Sequence, residues 1–228
     1  YGVVDSKCVD NKIKRLSPGF AGAKPTYNVY GITVTRLHGS SNIPDPLLQI
    51  GRCSDNVAVV RNQIEEAATW KSLDTHGGTN IRFIGNIVRG SYIGIGIDEG
   101  GSNDVNGKAP PRNITCVGNQ ILYEPSHPYR RAAILAFAPS AADDLIGRNL
   151  IITDNYIQGY GFQPNDGAIS VSFFENVSIS GNIFKDSLRC ALALRNTVTD
   201  FVFMGNVVDN VIKTEYDAAY GVLAGTPN

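Results

Sequence analysis

The chain lacks the long apolar segments and the charge imbalance that would point to a membrane or to nucleic acid. None of its apolar runs approaches the roughly 18 residues that span a bilayer as a helix. Its 20 Lys and Arg residues almost balance 21 Asp and Glu residues, so the composition indicates no broad basic surface. We therefore expect neither membrane insertion nor nucleic-acid binding.

Cysteine and methionine are also scarce. The cysteines Cys8, Cys53, Cys116 and Cys190 are widely spaced, with no C-x-x-C or Cys/His pattern that would indicate zinc. Free buried thiols are typical of a protein that folds in a reducing cytoplasm, including one assembled into virions there. The only methionine is Met204, and we expect the chain to be a piece of a longer protein.

What the sequence does contain is a repeated phrase. It reads Asn or Asp, apolar, any, apolar, any, any, Asn, and it occupies residues 56–62, 80–86, 113–119, 149–155, 176–182 and 200–206. The closing asparagines of successive copies are separated by 24, 33, 36, 27 and 24 residues. A unit of about 24 residues that tolerates insertions indicates a solenoid.

Each copy alternates apolar and other residues, as does a strand with one buried face. A further strand is predicted downstream of each turn, at residues 47–50, 72–74, 93–97, 132–137, 168–171 and 191–194. The repeated asparagines are interpreted as turn formers whose stacked amides can bond one another. We therefore predict one all-β domain over residues 1–228, a single-stranded parallel β-helix of about nine coils, less regular over 1–45 and regular over 46–225.

Small residues and long insertions favour a groove on one side of this solenoid. The outward positions of the third strand are predicted to carry Gly94, Gly96, Ser170, Ser172, Ala191 and Ala193. Insertions beside them fall at about residues 98–111, 123–131, 139–148 and 158–166. Long loops beside a shallow floor suggest a site for an extended ligand.

The N-[IVLF]-x-[IVF]-x-[GD]-N phrases, over roughly residues 50 to 225, resemble those of the right-handed parallel β-helix proteins of the pectate-lyase-like superfamily. Within it they are most similar to the central domain of bacteriophage tailspikes and capsule depolymerases. The resemblance implies a bacterial surface polysaccharide as ligand, a homotrimer, and a virion-tail protein that acts outside the cell, with a secreted bacterial protein as the alternative. It leaves the chemistry open, because this fold hosts hydrolases, lyases, epimerases and binding spikes.

Two aspartates are the first candidates for catalysis. Asp74 lies 12 residues after Asn62, and Asp98 lies 12 residues after Asn86. This spacing predicts one outward position in adjacent coils, with carboxyl groups on the order of 5 Å apart. One of the two would then have a raised pKa, and about 5 to 5.5 Å is the separation found in retaining glycosidases. The alternatives are aspartates that cap loop amides or bind a cation.

His76 and Glu99 flank this pair. His76 stands in the segment D-T-H-G-G, whose glycines would expose the imidazole at a strand end, and similar strand ends occur in phage-type β-helix sequences. Its role is either direct or limited to bonding the turn. Glu99 is an alternative acid, and together with Asp98 and Asp104 it could hold calcium. No other cofactor is expected.

The segment from Tyr123 to Arg131 has the composition of a sugar-binding loop. Tyr123 and Tyr129 could stack on sugar faces, and Arg130 and Arg131 could pair with the carboxylates of an acidic polysaccharide. In a lyase, His127 or Arg131 could supply the base. An ordinary solvated loop is the alternative.

Trp70 and Asp166 complete the candidates. Trp70, the only tryptophan, is interpreted as a sugar platform or as packing near the strand of Asp74. Asp166 lies in the turn Pro-Asn-Asp-Gly, where it is either a turn residue or a groove acid. The leading hypothesis is hydrolysis by Asp74 with Asp98 or Glu99, ahead of a lyase or epimerase and of a non-catalytic glycan-binding spike.

Overall fold

The computed structural model of the protein describes residues 4–14, 30–35, 54–67, 70–98, 110–125, 130–142, 145–161, 166–211 and 222–224. Within these ranges all regular elements are β-strands. No helix in the described ranges is long and apolar enough to cross a membrane.

The strands follow one another in short steps along the chain. They are β1 (Val4–Val9), β2 (Lys12–Ile13), β3 (Tyr30–Thr35), β4 (Asp55–Val60), β5 (Gln63–Glu65), β6 (Lys71–His76), β7 (Thr79–Ile84), β8 (Ile87–Arg89), β9 (Ile93–Asp98), β10 (Arg112–Val117), β11 (Gln120–Leu122), β12 (Ile134–Phe137), β13 (Gly147–Thr153), β14 (Tyr156–Gln158), β15 (Ile169–Ser180), β16 (Ile183–Ser187), β17 (Leu192–Met204), β18 (Val207–Val211) and β19 (Val222–Ala224).

Three strands make one coil, and the coils stack in parallel. Strands β4, β5 and β6 form one coil, on which β7, β8 and β9 lie strand for strand. The second strands form a seven-stranded sheet, one strand for each of the seven coils in the described residues. The first and third strands form two faces of a 12-stranded sheet, joined because β15 and β17 run from one face to the other. The predicted all-β parallel solenoid is confirmed.

The first coil contains an incomplete copy of the phrase at residues 5–11, with Ser6 at its first apolar position, which was not recognised from the sequence. Strand β1 pairs with β4 from Val4 to Val9, and Asn11 occupies the position of the closing asparagine, since it bonds to Asn62. These two asparagines are 51 residues apart, about two repeat periods, and this long gap hid the match. Strand β3 is the third strand of the same coil and pairs with β6.

The closing asparagines form a buried ladder through the solenoid. The backbone N–H and the Nδ2 of Asn86 both donate to Oδ1 of Asn119, each at 2.9 Å, and Asn119 donates in the same way to Asn155. The Nδ2 of Asn119 also donates to the carbonyl oxygen of Phe83 in the preceding coil, at 2.9 Å. The same pattern continues through Asn11, Asn62, Asn182 and Asn206. The stacking predicted for these amides is confirmed.

The opening residues of the phrases form a second, exposed row. Their backbones lie in the left-handed region, with φ of 55° at Asn80 and Asn113 and 59° at Asn149, which asparagine tolerates better than most residues. The Nδ2 of Asn113 donates to Oδ1 of Asn80 at 2.9 Å, and Asn149 donates to Asn113 at 2.7 Å. From Asn80 to Asn176, neighbouring coils are therefore joined by one buried and one exposed asparagine contact.

Apolar side chains at equal register fill the interior. The first strands contribute one column of completely buried side chains, each 0% exposed: Val59, Phe83, Cys116, Ile152 and Ile179. The third strands contribute a similar column: Leu73, Ile95, Ile134, Ile169 and Leu192. Cys8, Cys116 and Cys190 are free thiols, and burial raises the pKa of Cys190 to about 11.

Replacing a central asparagine of the buried ladder should destabilise the whole solenoid. In Asn119→Ala, two donors of Asn86 and the carbonyl of Phe83 lose their partner inside the protein. Because buried groups without a partner cost about 1–3 kcal/mol each, partly relieved by water, we expect a loss of about 2–4 kcal/mol in the free energy of unfolding. Urea denaturation followed by circular dichroism measures it.

Asn113→Gly is the matched control from the exposed row. Glycine accepts the left-handed backbone at this position, and the lost side-chain bonds face water. We expect its unfolding free energy to change by less than about 1 kcal/mol. Equal losses in the two variants would contradict the role given to the buried ladder.

Candidate functional site

A groove of about 450 Å³ lies on the outer surface of the face that the third strands form, called the third face below. Its lining comes from the third strands of successive coils and from the turns before them. The lining residues are Tyr30, Trp70, Lys71, His76, Asp98, Arg131, Leu135, Ala136, Phe137, Ser170, Val171, Ser172 and Arg195.

Five of these side chains share one register position in consecutive coils. In order along the solenoid they are His76, Asp98, Phe137, Ser172 and Arg195. We call them the groove row. Because neighbouring parallel strands lie about 4.8 Å apart, the four steps of the row span about 19 Å. A row of this length along the axis suits an extended ligand.

The prediction that Asp74 and Asp98 occupy the same position is wrong. Asp74 pairs with Gly96, and Asp98 pairs with His76. Five residues, 66–70, separate β5 from β6, whereas three residues, 90–92, separate β8 from β9. Counting from the asparagines therefore misplaces the third strand by two residues. Asp74 is also fully buried, at 0% exposure, although an open outward position was predicted.

Lys71 nevertheless brings the two aspartates into one cluster. Its Nζ donates to Oδ1 of Asp74 at 2.8 Å and also to Oδ2 of Asp98. Gly96 leaves the space for this side chain, because a Cβ there would lie 2.5 Å from Cδ of Lys71 and 2.7 Å from Oδ1 of Asp74. The ammonium also lies 5.5 Å from the ring centroid of Trp70, within cation–π range.

Asp74 holds His76 as well as Lys71. Its Oδ2 lies 2.6 Å from Nε2 of His76. Both oxygens of this buried carboxylate are therefore engaged, one by each partner. Three members of the cluster line the groove, of which His76 and Asp98 are 18% and 20% exposed and Lys71 is 1% exposed. Asp74 is a positioning residue for them.

Burial and charge shift the pKa values in this cluster. Burial raises the pKa of Asp98, and the net direction remains upward although Lys71 lowers it. Burial lowers the pKa of His76, but the bond and the charge of Asp74 outweigh it, so the pKa is raised. For Lys71, burial is likewise outweighed by Asp98 and Asp74, and its pKa is raised. Asp98 is thus an acid that retains its proton to higher pH than usual, beside an ammonium that stays charged.

The cluster has the spacing of a metal site but not its charge. One ligand atom from each of Asp74, His76 and Asp98 lies within 4.8 Å of the others. The Lys71 ammonium is bonded to both carboxylates, and its positive charge would repel a divalent ion at that position. These residues therefore do not fit a metal ion as they are arranged. Glu99 and Asp104, which together with Asp98 were predicted to hold calcium, lie outside the described residues.

A second charged cluster lies farther along the groove. Nε of Arg131 donates to Oδ2 of Asp166 at 2.7 Å, and Nη1 of Arg195 donates to Oδ1 at 3.1 Å. Asp166 is only 2% exposed, whereas Arg131 and Arg195 are 28% and 38% exposed. The predicted groove acid is therefore buried behind two arginines, and the arginines are the groups that line the groove.

The other predicted sugar contacts divide into two groups. Trp70 lines the groove and stacks on Tyr92, with ring centroids 5.9 Å apart. Tyr123 and Arg130 instead pair with each other, because the guanidinium carbon lies 3.4 Å from the ring centroid, and neither belongs to the groove lining. Glu99, His127 and Tyr129 lie outside the described residues.

The small-residue floor is present at Ser170 and Ser172, which line the groove. It is absent at Gly96, where Lys71 fills the space, at Ala191, which belongs to the core, and at Gly94. A Cβ at Gly94 would lie 2.5 Å from Cγ2 of Ile121, which belongs to the core, so this glycine serves interior packing. Inward and outward positions therefore do not alternate at the start of β9, and the sequence alone does not reveal this.

Lys71, Phe137 and Arg195 were missed as groove residues. The sequence does contain a signal for Phe137 and Arg195. Side chains alternate inward and outward along a strand, so the residues two positions after the outward Leu135 and Ala193 also point outward. Lys71 gave no comparable signal, because its place in the cluster depends on the space above Gly96.

Comparison with known proteins assigns no family to the chain. No protein-family model matches the chain, and no curated protein matches it. Among solved structures it is similar to a "putative glycosyl hydrolase" from Parabacteroides merdae, with a TM-score of 0.43 and 8% identity. The similarity covers 72% of this chain and 81% of the other. A likeness of this size assigns no activity to this chain.

Removing the central cation should cost the protein much of its stability. In Lys71→Met, the buried Asp74 loses its charged partner, and breaking a buried pair on one side costs about 3–5 kcal/mol. Lys14→Met is the control, because Lys14 is 49% exposed where it pairs with Glu65 and exposed pairs contribute about 1 kcal/mol or less. Urea denaturation of the two variants measures the difference, and similar losses would contradict the cluster.

The raised pKa of His76 predicts a pH dependence of stability. Its contact with Asp74 stabilises the fold fully below the ordinary histidine pKa of 6.5, and this contribution is lost as pH rises through the higher pKa of the folded state. The stability advantage of the wild type over His76→Gln should therefore shrink on going from below 6.5 to alkaline pH. Denaturation midpoints across this range measure it, and an advantage that grows with pH would contradict the assignment.

Proposed function

We propose that the protein is a carbohydrate-active enzyme that binds an extended glycan along the groove row and cleaves it beside Asp98, by glycoside hydrolysis. The observation that carries the proposal is the state of Asp98. It is a partly exposed carboxyl with a raised pKa, located in a row of outward side chains that follows the solenoid axis. A carboxyl with a raised pKa retains its proton to higher pH than usual and can act as a general acid.

The neighbours of Asp98 support this role. Oδ2 of Asp98 accepts from Lys71, so a transferable proton is carried on Oδ1. After this proton passes to the glycosidic oxygen, the lysine ammonium stabilises the carboxylate that remains. Asp74 compensates part of the ammonium charge from the buried side. Lys71 therefore lowers the pKa of Asp98 less than an unpaired ammonium would, and Asp98 keeps a proton that it can transfer.

Hydrolysis needs a second carboxyl near the bond that breaks. Asp74 does not supply it, because it is buried and both of its oxygens are engaged. Among the described residues that line the groove, Asp98 is the one carboxylate. We propose Glu99, the next residue in the chain, as the second group.

Elimination is the second candidate reaction, and the contact between Asp74 and His76 favours it. A lyase needs a base for the proton next to a carboxylate and a cation to neutralise that carboxylate. His76, whose pKa Asp74 raises, could act as the base, and Arg131, a partly exposed cation of the groove lining, could act as the cation. Asp98 would then protonate the leaving oxygen, and the product would be unsaturated and absorb ultraviolet light.

The biological setting that we propose is the one implied by the resemblance to tailspikes. In it, the chain is part of a homotrimer in a virion tail and acts on a polysaccharide at the bacterial surface. A secreted bacterial protein with the same groove is the alternative. The parallel solenoid with a groove along its axis supports a ligand of polymeric length in either setting.

Asp98→Asn should abolish cleavage without abolishing binding. We expect a loss of about 100-fold or more, because a general acid contributes about 10²–10⁴-fold. The measurement is size-exclusion chromatography of bacterial capsular and O-antigen polysaccharides after incubation with each protein, with ultraviolet absorbance to detect unsaturated products. Shorter chains without new absorbance indicate hydrolysis, and shorter chains with absorbance indicate elimination.

Asp154→Asn is the matched control, since Asp154 lies in a left-handed turn that asparagine also accepts and is not part of the groove lining. It should cleave like the wild type. A groove that binds a glycan and never shortens it would contradict the enzymatic proposal in favour of a binding spike. Cleavage that survives in Asp98→Asn would remove Asp98 from the chemistry.

A further inference from the structure

We propose that Arg131 and Arg195 form a subsite for an anionic substituent of the glycan, so that the ligand is an acidic polysaccharide. The proposal rests on the proposed function in one respect, namely that the groove holds a glycan. It adds the charge class of that glycan and the place where the charge is recognised. The sequence had suggested Arg130 and Arg131 for this role, but Arg130 lies on Tyr123, and Arg195 takes its place.

The charges of the cluster do not cancel. Among the described residues, two guanidinium groups share one carboxylate, that of Asp166, which leaves one net positive charge. Asp166 is buried at 2% exposure, and the arginines are the parts that reach the groove. A ligand in the groove therefore meets the positive groups and not the acid.

Asp166 holds the two arginines in place for a ligand. It engages Nε of Arg131 and Nη1 of Arg195, and each guanidinium has further N–H donors in its fork. Ser170 fixes the same turn, because the backbone N–H of Gly167 donates to its Oγ at 3.0 Å. Ordering two long side chains before the ligand arrives reduces the entropy that binding costs.

A purely structural role explains the cluster less well. One arginine would neutralise the buried Asp166. The second, Arg195, is 38% exposed at the end of the groove row, and holding an exposed arginine in one geometry costs conformational entropy. A binding role explains why both arginines face the same groove.

The subsite lies away from the cleavage centre. In the groove row, Arg195 is three rungs from Asp98, about 14 Å along the solenoid. Phe137 and Ser172 occupy the rungs between them, and Phe137 is 37% exposed, which offers a ring to the apolar face of a sugar. The anionic group is therefore recognised on a different sugar unit from the one that Asp98 protonates.

Binding of glycans with and without charge tests this subsite. The probes are bacterial capsular polysaccharides with carboxylates, each paired with its carboxyl-reduced form, together with sulfated and neutral polysaccharides. Asp98→Asn serves as the parent protein so that the probes remain intact, and biolayer interferometry gives the affinities. We expect the bound glycans to be acidic, and we expect carboxyl reduction or the added change Arg195→Gln to weaken binding about tenfold or more.

Arg148→Gln added to the same parent is the matched control. Arg148 pairs with Glu175 at 2.9 Å and is 29% exposed, much like Arg131, but it is not part of the groove lining. Its loss should leave the affinity unchanged, and Arg195→Lys should restore part of the binding that Arg195→Gln loses. Preference for sulfated over carboxylated probes would identify the anionic group as a sulfate.

Several results would overturn the subsite. They are tight binding of neutral glycans, equal affinity for native and carboxyl-reduced forms of a carboxylated glycan, and equal effects of Arg195→Gln and Arg148→Gln. Wild-type cleavage of a neutral glycan would leave the proposed function standing while the subsite fails. Charge-dependent binding with no cleavage by the wild type would do the reverse, and no binding to any probe would count against both.

Discussion

The buried asparagine ladder is the constraint on which the rest of the structure depends. From Asn62 to Asn206, each amide oxygen in it accepts two donors from the preceding coil, and each Nδ2 also reaches a carbonyl one coil back. A slip of one coil against the next by one residue would break these bonds inside the protein and turn core side chains outward. The ladder therefore fixes the register of the first and second faces.

The register of the third strands also depends on the length of the turn that precedes each of them. The turn between the second and third strands has five residues before β6 and three before β9, so its length decides which side chains become neighbours. The two additional residues place His76 beside Asp98 and leave Asp74 beside Gly96. Asp74 is therefore buried, contacts both Lys71 and His76, and is not exposed to a ligand in the groove.

The groove that results is charged differently along its length. Around Asp98, one lysine ammonium lies between two carboxyl groups, and burial leaves Asp98 with a raised pKa. Around Asp166, two arginines outweigh one carboxylate. An aromatic ring and small side chains lie between these clusters. This arrangement joins a centre for proton transfer to a centre for recognition of charge.

The fold could be predicted from the sequence because its cause is periodic. Asparagine and apolar positions recur in phase, and the phase alone decides which residues lie inside. The site could not be predicted to the same depth. Its register depends on turn lengths, and the role of Lys71 depends on the missing Cβ of Gly96, neither of which the period reveals. Asp166 was a candidate for groove chemistry, but its burial behind two arginines is a tertiary contact that the sequence does not reveal.

The measurement that tests the central claim most directly is a crystal structure of Asp98→Asn bound to an oligosaccharide of a glycan that the protein recognises. The account predicts that the oligosaccharide follows the groove row, with a glycosidic oxygen in hydrogen-bond contact with residue 98 and an anionic substituent at Arg195. An oligosaccharide on another face of the solenoid, or one that leaves residue 98 without contact, would contradict it.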